Sequence, residues 1–180
     1  VGHLAEGPFP AKLSPTVPGR WRWLGTRTLV FEPEAERFPM ATEFQVEVPA
    51  GVAAADGTQL GEALRWSFRT PAPKVVASSP QGGPTVLEPL LMVRFDQRVD
   101  PEAVLASIKV SAQGEPIALR LASEEERAGR VIPQPERALL FKPAAPLPGD
   151  QQIRVDVGPG TPSAEGPRRS EQPHSFSFRT

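Results

Sequence analysis

The clearest alternation of apolar and polar positions lies at LLMVRFDQRV (90–99). Leu91, Val93, Phe95, Gln97 and Val99 fall on one side, and Met92, Arg94, Asp96 and Arg98 on the other. A period of two sends successive side chains to opposite faces of a strand, so this segment predicts a strand with one buried face. Shorter stretches predict strands at KVVASSP (74–80), SIKVSA (107–112), IALRLA (117–122), ALLFKP (138–143), QQIRVDV (151–157) and HSFSFRT (174–180). DPEAVLAS (100–107) breaks the alternation and predicts one or two turns of helix. Asp100 is placed to cap it, and the fixed φ of Pro101 suits the first helical position. Pro148-Gly149 predicts a tight turn. Short strands between turn signals predict an all-β fold, an antiparallel β-sandwich of immunoglobulin-like type.

The pattern recurs. GRWRWLGTRTLVFEP (19–33) aligns without a gap on GRVIPQPERALLFKP (129–143), matching Gly19 with Gly129, Arg20 with Arg130 and Phe31 with Phe141. On this alignment Val131 and Pro133 replace Trp21 and Trp23. FPMATEFQVEVPAG (38–51) falls on LPGDQQIRVDVGPG (147–160), and WSFRT (66–70) returns as FSFRT (176–180). Trp66 then stands where Phe176 stands, an exchange expected at a core or semi-core position. Three blocks in one order predict two tandem modules, a partial one over 1–72 and a complete one over 73–180. TPAPK (70–74) joins them as a stiff, extended spacer. Counterparts of residues 75–110 are missing from the first module. It is expected to lack its opening strands and to present an open sheet edge or pair with something else there. The chain is expected to be an internal piece of a longer product.

RWRW (20–23) is the one stretch with a binding look. On a strand, Trp21 and Trp23 share one face and Arg20 and Arg22 the other. One reading is a binding surface, with bases or a sugar stacked on the rings. The other is structural: the rings pack, and the arginines meet water or stack on the rings. Composition favours the structural reading. Lys+Arg is 20 against Asp+Glu 21, a net charge of -1, which gives no basic field for nucleic acid. The 23 prolines leave little room for long helices.

Other chemistry is sparse. There is no cysteine, which excludes disulfides, thiolate ligands and a cysteine nucleophile. The two histidines are His3 and His174, and neither a G-x-S-x-G turn nor a phosphate-binding glycine motif accompanies them. No catalytic residue, cofactor or metal site is expected. SEEER (123–127) reads as a solvated loop, and Asp100, near Asp96 and Glu102, reads as a helix cap before it reads as a calcium ligand. No apolar run reaches the length of a membrane span.

Two sets of phrases resemble a known family. PGRWRWLGTRTLVFEP, FPMATEFQVEVPAG and WSFRTPAP resemble the N-terminal portion of bacterial alpha-2-macroglobulins. SSP (78–80), VRFDQRVDP (93–101), LLFKP (139–143), LPGDQQIRV (147–155) and SFSFRT (175–180) are similar to the module that follows in those proteins. RFDQRVDP and SFSFRT also resemble bacterial Ig-like domains of surface and S-layer proteins. The resemblance implies non-catalytic sandwich modules of a periplasmic or surface-linked protease trap. It implies proteases as targets of the parent protein and, in some members, a cell-wall synthase of the penicillin-binding class as partner. The family's Cys-x-x-Gln thioester has no place in a segment without cysteine. The rival is an adhesion, S-layer or carbohydrate-binding module using Trp21, Trp23, Arg20 and Arg22.

Overall fold

Burial follows the predicted alternation. In a computed structural model that describes residues 9–54 and 56–180, Leu91, Val93, Phe95, Gln97 and Val99 are all buried, and the residues between them are not. The fold is all-β, and the chain divides into two units, Val1–Thr70 and Pro71–Thr180. His3 lies outside the described residues.

The second unit is a two-sheet sandwich. One sheet runs in the order β11 (Leu119–Leu121), β12 (Ala138–Pro143), β8 (Leu91–Phe95), β6 (Val75–Ser79). The other runs β10 (Glu115–Ile117), β9 (Ile108–Ala112), β13 (Gln152–Val157), β14 (His174–Arg179), β7 (Gly82–Pro84). All pairings are antiparallel except β14 with the short β7, which is parallel. β7 and β10 are strands that the alternation did not announce, because three residues carry no period. The inner faces meet in one core that includes Leu91, Val93, Phe95, Phe141, Val155 and Phe178. α1 (Pro101–Leu105) crosses between the strands as predicted. The Asp100 carboxylate accepts from the N–H groups of Glu102 at 3.0 Å and Ala103 at 3.5 Å, satisfying donors that the first helical turn leaves free. The fully buried Gln97 amide donates to the Pro71 carbonyl at 3.3 Å and accepts from the Ser163 hydroxyl at 2.7 Å.

SEEER departs from its expectation. Glu124–Arg127 form a one-turn helix, α2, rather than a loop. The Ser123 hydroxyl accepts from the Glu126 N–H, and the Glu126 carboxylate accepts from the Ser123 N–H at 2.9 Å, a capping box. Glu126 also takes both terminal nitrogens of Arg120 at 2.7 Å and lies 3.2 Å from the Lys142 amine.

The first unit has fewer strands. β1 (Lys12–Ser14), β4 (Glu43–Val48) and β5 (Leu64–Arg69) form one sheet, and β2 (Gly19–Leu24) and β3 (Thr28–Pro33) form a separate hairpin. Phe38, between β3 and β4, bridges the two. Its ring lies 5.7 Å from Phe31, 5.2 Å from Phe44 and 5.5 Å from Phe68. Phe44 and Phe68 stack at 5.1 Å, and Trp21 meets Phe31 edge-on at 5.0 Å.

Strand pairing shows which parts of the two units correspond. β4 and β5 pair from Glu43↔Arg69 to Val48↔Leu64, and β13 and β14 from Gln152↔Arg179 to Val157↔His174, in the same register. β1 lies on β4 as β9 lies on β13, with Lys12 opposite Glu47 and Lys109 opposite Asp156. Ala41 and Asp150, at equivalent places before β4 and β13, both take a left-handed backbone, φ 55° and 54°.

One aligned block is corrected by the pairing. Trp21 stands opposite Phe31, and the residue opposite Phe141 is Leu121, not Val131. Arg20 opposite Glu32 likewise matches Arg120 opposite Lys142. Val131 is 95% exposed in the connection between α2 and β12. The first unit closes its hairpin directly from β2 to β3, whereas the second inserts α2 and a 3₁₀ turn (Pro135–Arg137) between β11 and β12. This insertion displaced the sequence match. Gly19 and Gly129 are therefore not equivalent. Gly19 lies in a strand where a Cβ would meet the Glu32 carbonyl oxygen at 2.5 Å, and Gly129 sits in a turn at φ +74° with open space around it.

Candidate functional site

The RWRW strand is β2, and its two faces do different things. Trp21 and Trp23 point the same way, opposite Phe31 and Leu29 on β3. Trp21 is half-buried on the Phe31 ring; Trp23 remains 39% exposed. Trp23 borders an open apolar cleft of about 690 Å³, with Val48, Val52, Leu60 and Leu64 among its walls.

Arg20 and Arg22 point to the other face and share one acceptor. The Arg20 Nε donates to Glu32 Oε2 at 3.2 Å, and the Arg22 Nε donates to Glu32 Oε1. The hydrogen bond from Arg22 does most to hold the Glu32 carboxyl below the usual carboxylate range; desolvation opposes it, and the Arg20 hydrogen bond adds to the lowering. Rings and guanidiniums thus lie on opposite sides of one strand. A single planar ligand cannot stack on the tryptophans and meet the arginines together.

The more consequential feature lies next to the tryptophans. In the second unit β12 is flanked by β11 and β8; in the first, β3 has β2 on one side and no other neighbour among the described residues. No described strand of the first unit corresponds to β6, β7 or β8. The inner face shows the difference. Leu139 and Phe141 are buried, but their counterparts Leu29 and Phe31 are only half-buried. Phe176 is 8% exposed and Trp66, its counterpart, is 51% exposed. Trp66 was expected at a core or semi-core position, and it does lie on the inner face, but about half of it stays open to solvent.

The second unit offers no competing constellation. His174 Nε2 lies 3.4 Å from the Ser78 hydroxyl, and no carboxylate among the described residues hydrogen-bonds its ring. Asp96 accepts from the Lys74 N–H at 3.1 Å and Asp100 caps α1, so these carboxylates are occupied by the backbone. No group of three or more His, Asp or Glu that could hold a metal occurs among the described residues. No helix among them is long and apolar enough to cross a membrane.

Comparison with known families decides the class of the second unit. The model of the bacterial Ig-like domain family matches residues 69–180. The chain belongs to this family. The bacterial Ig-like match begins at Arg69, beside the boundary between the two units, and takes in every strand from β6 to β14. It is a family of non-catalytic domains. No curated protein matches the chain. Among solved structures, the LD-transpeptidase LdtMt1 in complex with imipenem is similar over 61% of this chain and 41% of its own, at 19% identity and a TM-score of 0.35. The chain thus spans less than half the length of that enzyme.

Proposed function

We propose that this bacterial Ig-like chain is a non-catalytic structural segment of an alpha-2-macroglobulin-type protease trap, acting at the periplasm or cell surface. The observation that carries this reading is the repeated sandwich plan: β1, β4 and β5 reproduce the register of β9, β13 and β14 while their side chains diverge. Repeated modules of one plan suit a scaffold that holds other domains in place. The segments that resemble bacterial alpha-2-macroglobulins, 19–33 and 38–51, supply β2, β3 and β4. Fold alone does not establish such a role; the resemblance gives it its direction. Proteases would be targets of the parent protein, and a cell-wall synthase of the penicillin-binding class a candidate partner.

The test uses the full-length parent incubated with a broad-specificity protease. One early cut is expected, with protease activity kept on small substrates and lost on large ones. Ragged degradation without protection overturns the trap reading. The adhesion or carbohydrate reading is less well supported, because Glu32 engages both arginines on the face away from the tryptophans.

A further inference from the structure

Residues 122–137 join β11 to β12, where the first unit needs only residues 25–27 between β2 and β3. Within this connection Arg130 and Val131 stand clear of the sandwich. Val131 is 95% exposed; Arg130 is exposed too, and its guanidinium has no hydrogen bond or ion pair among the described residues. The Val131 and Ile132 N–H groups have no backbone partner there, and Gly129 turns at φ +74° with open space around it. Upstream, α2 buries no residue; downstream, Ile132 packs on the Ala122, Ala138 and Leu140 cluster while Val131 points away from it. A peptidase pairs its own backbone with several extended residues of its substrate, so it selects exposed stretches whose backbone groups are free.

We infer that the Arg130–Val131 bond is a processing site, the first bond of this chain that an arginine-specific endopeptidase hydrolyses. Such an enzyme holds an acidic group in its specificity pocket, which pairs with a free guanidinium. The hydroxyl of water goes to the Arg130 carbonyl carbon and its hydrogen to the Val131 nitrogen. The new acid then gives its proton to the new amine, leaving a carboxylate on one end and an ammonium on the other.

The competing bonds are held. Of the 20 basic residues, more than half lie in strands, and residues 1–11 include none. Arg27 sits in a tight turn closed by the pairing of Leu24 with Thr28. Arg127 is still helical, its N–H bonded to the Ser123 carbonyl at 3.1 Å. The Arg169–Ser170 bond lies beside a backbone ladder, in which the Ser170 N–H donates to the Thr161 carbonyl at 2.9 Å and the Gly160 N–H to the Ser170 carbonyl at 2.8 Å. The cut at Arg130 leaves the sandwich whole. β11 keeps β12 from Leu119↔Pro143 to Leu121↔Phe141, and β12 keeps β8 from Ala138↔Arg94 to Phe141↔Leu91. The two pieces therefore stay together without a covalent link. The inference is separate from the trap reading: it concerns which bond of this chain opens, not whether the parent holds the protease.

The test is brief digestion of the 180-residue chain with a trace of trypsin, followed by intact mass and by size exclusion. First products of 1–130 and 131–180 are expected, eluting together in native buffer and apart in denaturant. Arg130→Gln removes an exposed guanidinium and is expected to slow the first cut by about ten-fold or more, with thermal unfolding unchanged. Val131→Pro keeps the arginine but puts a proline nitrogen in the scissile bond, and it is expected to slow the cut likewise. A first cut at any other bond, an unslowed Arg130→Gln variant, or pieces that part in native buffer overturns the inference.

Discussion

Thr70 and Thr180 hold the same hydrogen bonds at the ends of equivalent strands. The Thr70 N–H donates to the Thr42 carbonyl at 2.9 Å, and the Thr180 N–H to the Gln151 carbonyl at 3.0 Å. Each hydroxyl donates to a proline carbonyl, Pro39 at 2.8 Å and Pro148 at 2.7 Å. Each also accepts a backbone N–H, from Thr42 at 3.0 Å and Gln151 at 3.1 Å. One side chain thereby ties the residue just after a strand to the turn that precedes its partner. The phrase FRT recurs at the ends of β5 and β14.

Replacing Thr180 by Val keeps the shape and removes the hydroxyl. The Gln151 N–H and Pro148 carbonyl lose their partner, which costs about 1–3 kcal/mol. Urea unfolding of the second unit should show a lower midpoint with an unchanged slope. Thr180→Ser should recover most of the loss.

Trp21 and Trp23 should separate cleanly. Trp21→Ala removes a half-buried ring and an edge-on aromatic contact, an expected loss of about 2 kcal/mol from the first unit. Trp23→Ala removes a ring whose exposed part gains little from folding, with an expected loss below about 1 kcal/mol. Thermal unfolding of the two variants checks the order; a larger effect at Trp23 would contradict the packing described.

Gly19→Ala places a methyl against the Glu32 carbonyl and the Phe31 ring edge, so β2 must shift. The expected cost is about 1–3 kcal/mol. Gly129→Ala meets no atom but holds an alanine in the left-handed region, at a cost of about 1–2 kcal/mol. The two should differ in kind. The first should weaken exchange protection across the β2–β3 hairpin, and the second should leave β11 and β12 protected.

Glu126 gives the acid response a sign. The hydrogen bonds from Arg120 first, then from the Ser123 backbone and Lys142, hold its carboxyl far below the usual 4.5. A depressed folded value means that its contribution is present above the unfolded value and fades as pH falls toward the folded one. Stability of the second unit should therefore decline below about pH 4, and Glu126→Gln should flatten that decline. Because the group is still in contact with solvent, added salt should reduce the difference.

What could be read from sequence follows the physics of each signal. The face of β8 was plain because five alternate positions from Leu91 to Val99 obey one period. Asp100-Pro101 marked the start of α1 by two independent preferences. The Ser123–Glu126 capping box is also written in the sequence, as serine followed three residues later by glutamate, but a run of charge with no apolar period masks it. The equivalence of Trp21 and Leu121 was hidden. Identity at Gly129-Arg130 outweighed the cross-strand partners, which only the pairing reveals. The opposite faces of RWRW were legible from alternation, whereas the sharing of Glu32 by two arginines depends on register between strands and was not.

The common register of β4–β5 and β13–β14 also bears on how the chain folds. A backbone that offers the same spacing twice would let β4 take β14 as well as β5, although the shorter connection favours β5. Tandem copies of one plan are prone to such exchange of parts. Side chains add to this discrimination. The Phe44–Phe68 stack and the Glu47–Arg65 pair at 2.9 Å belong to one hairpin, and Ile153 against Phe178 with Asp156 against Ser175 to the other. Divergence between the copies would thus favour each strand's own partner while the chain is still assembling.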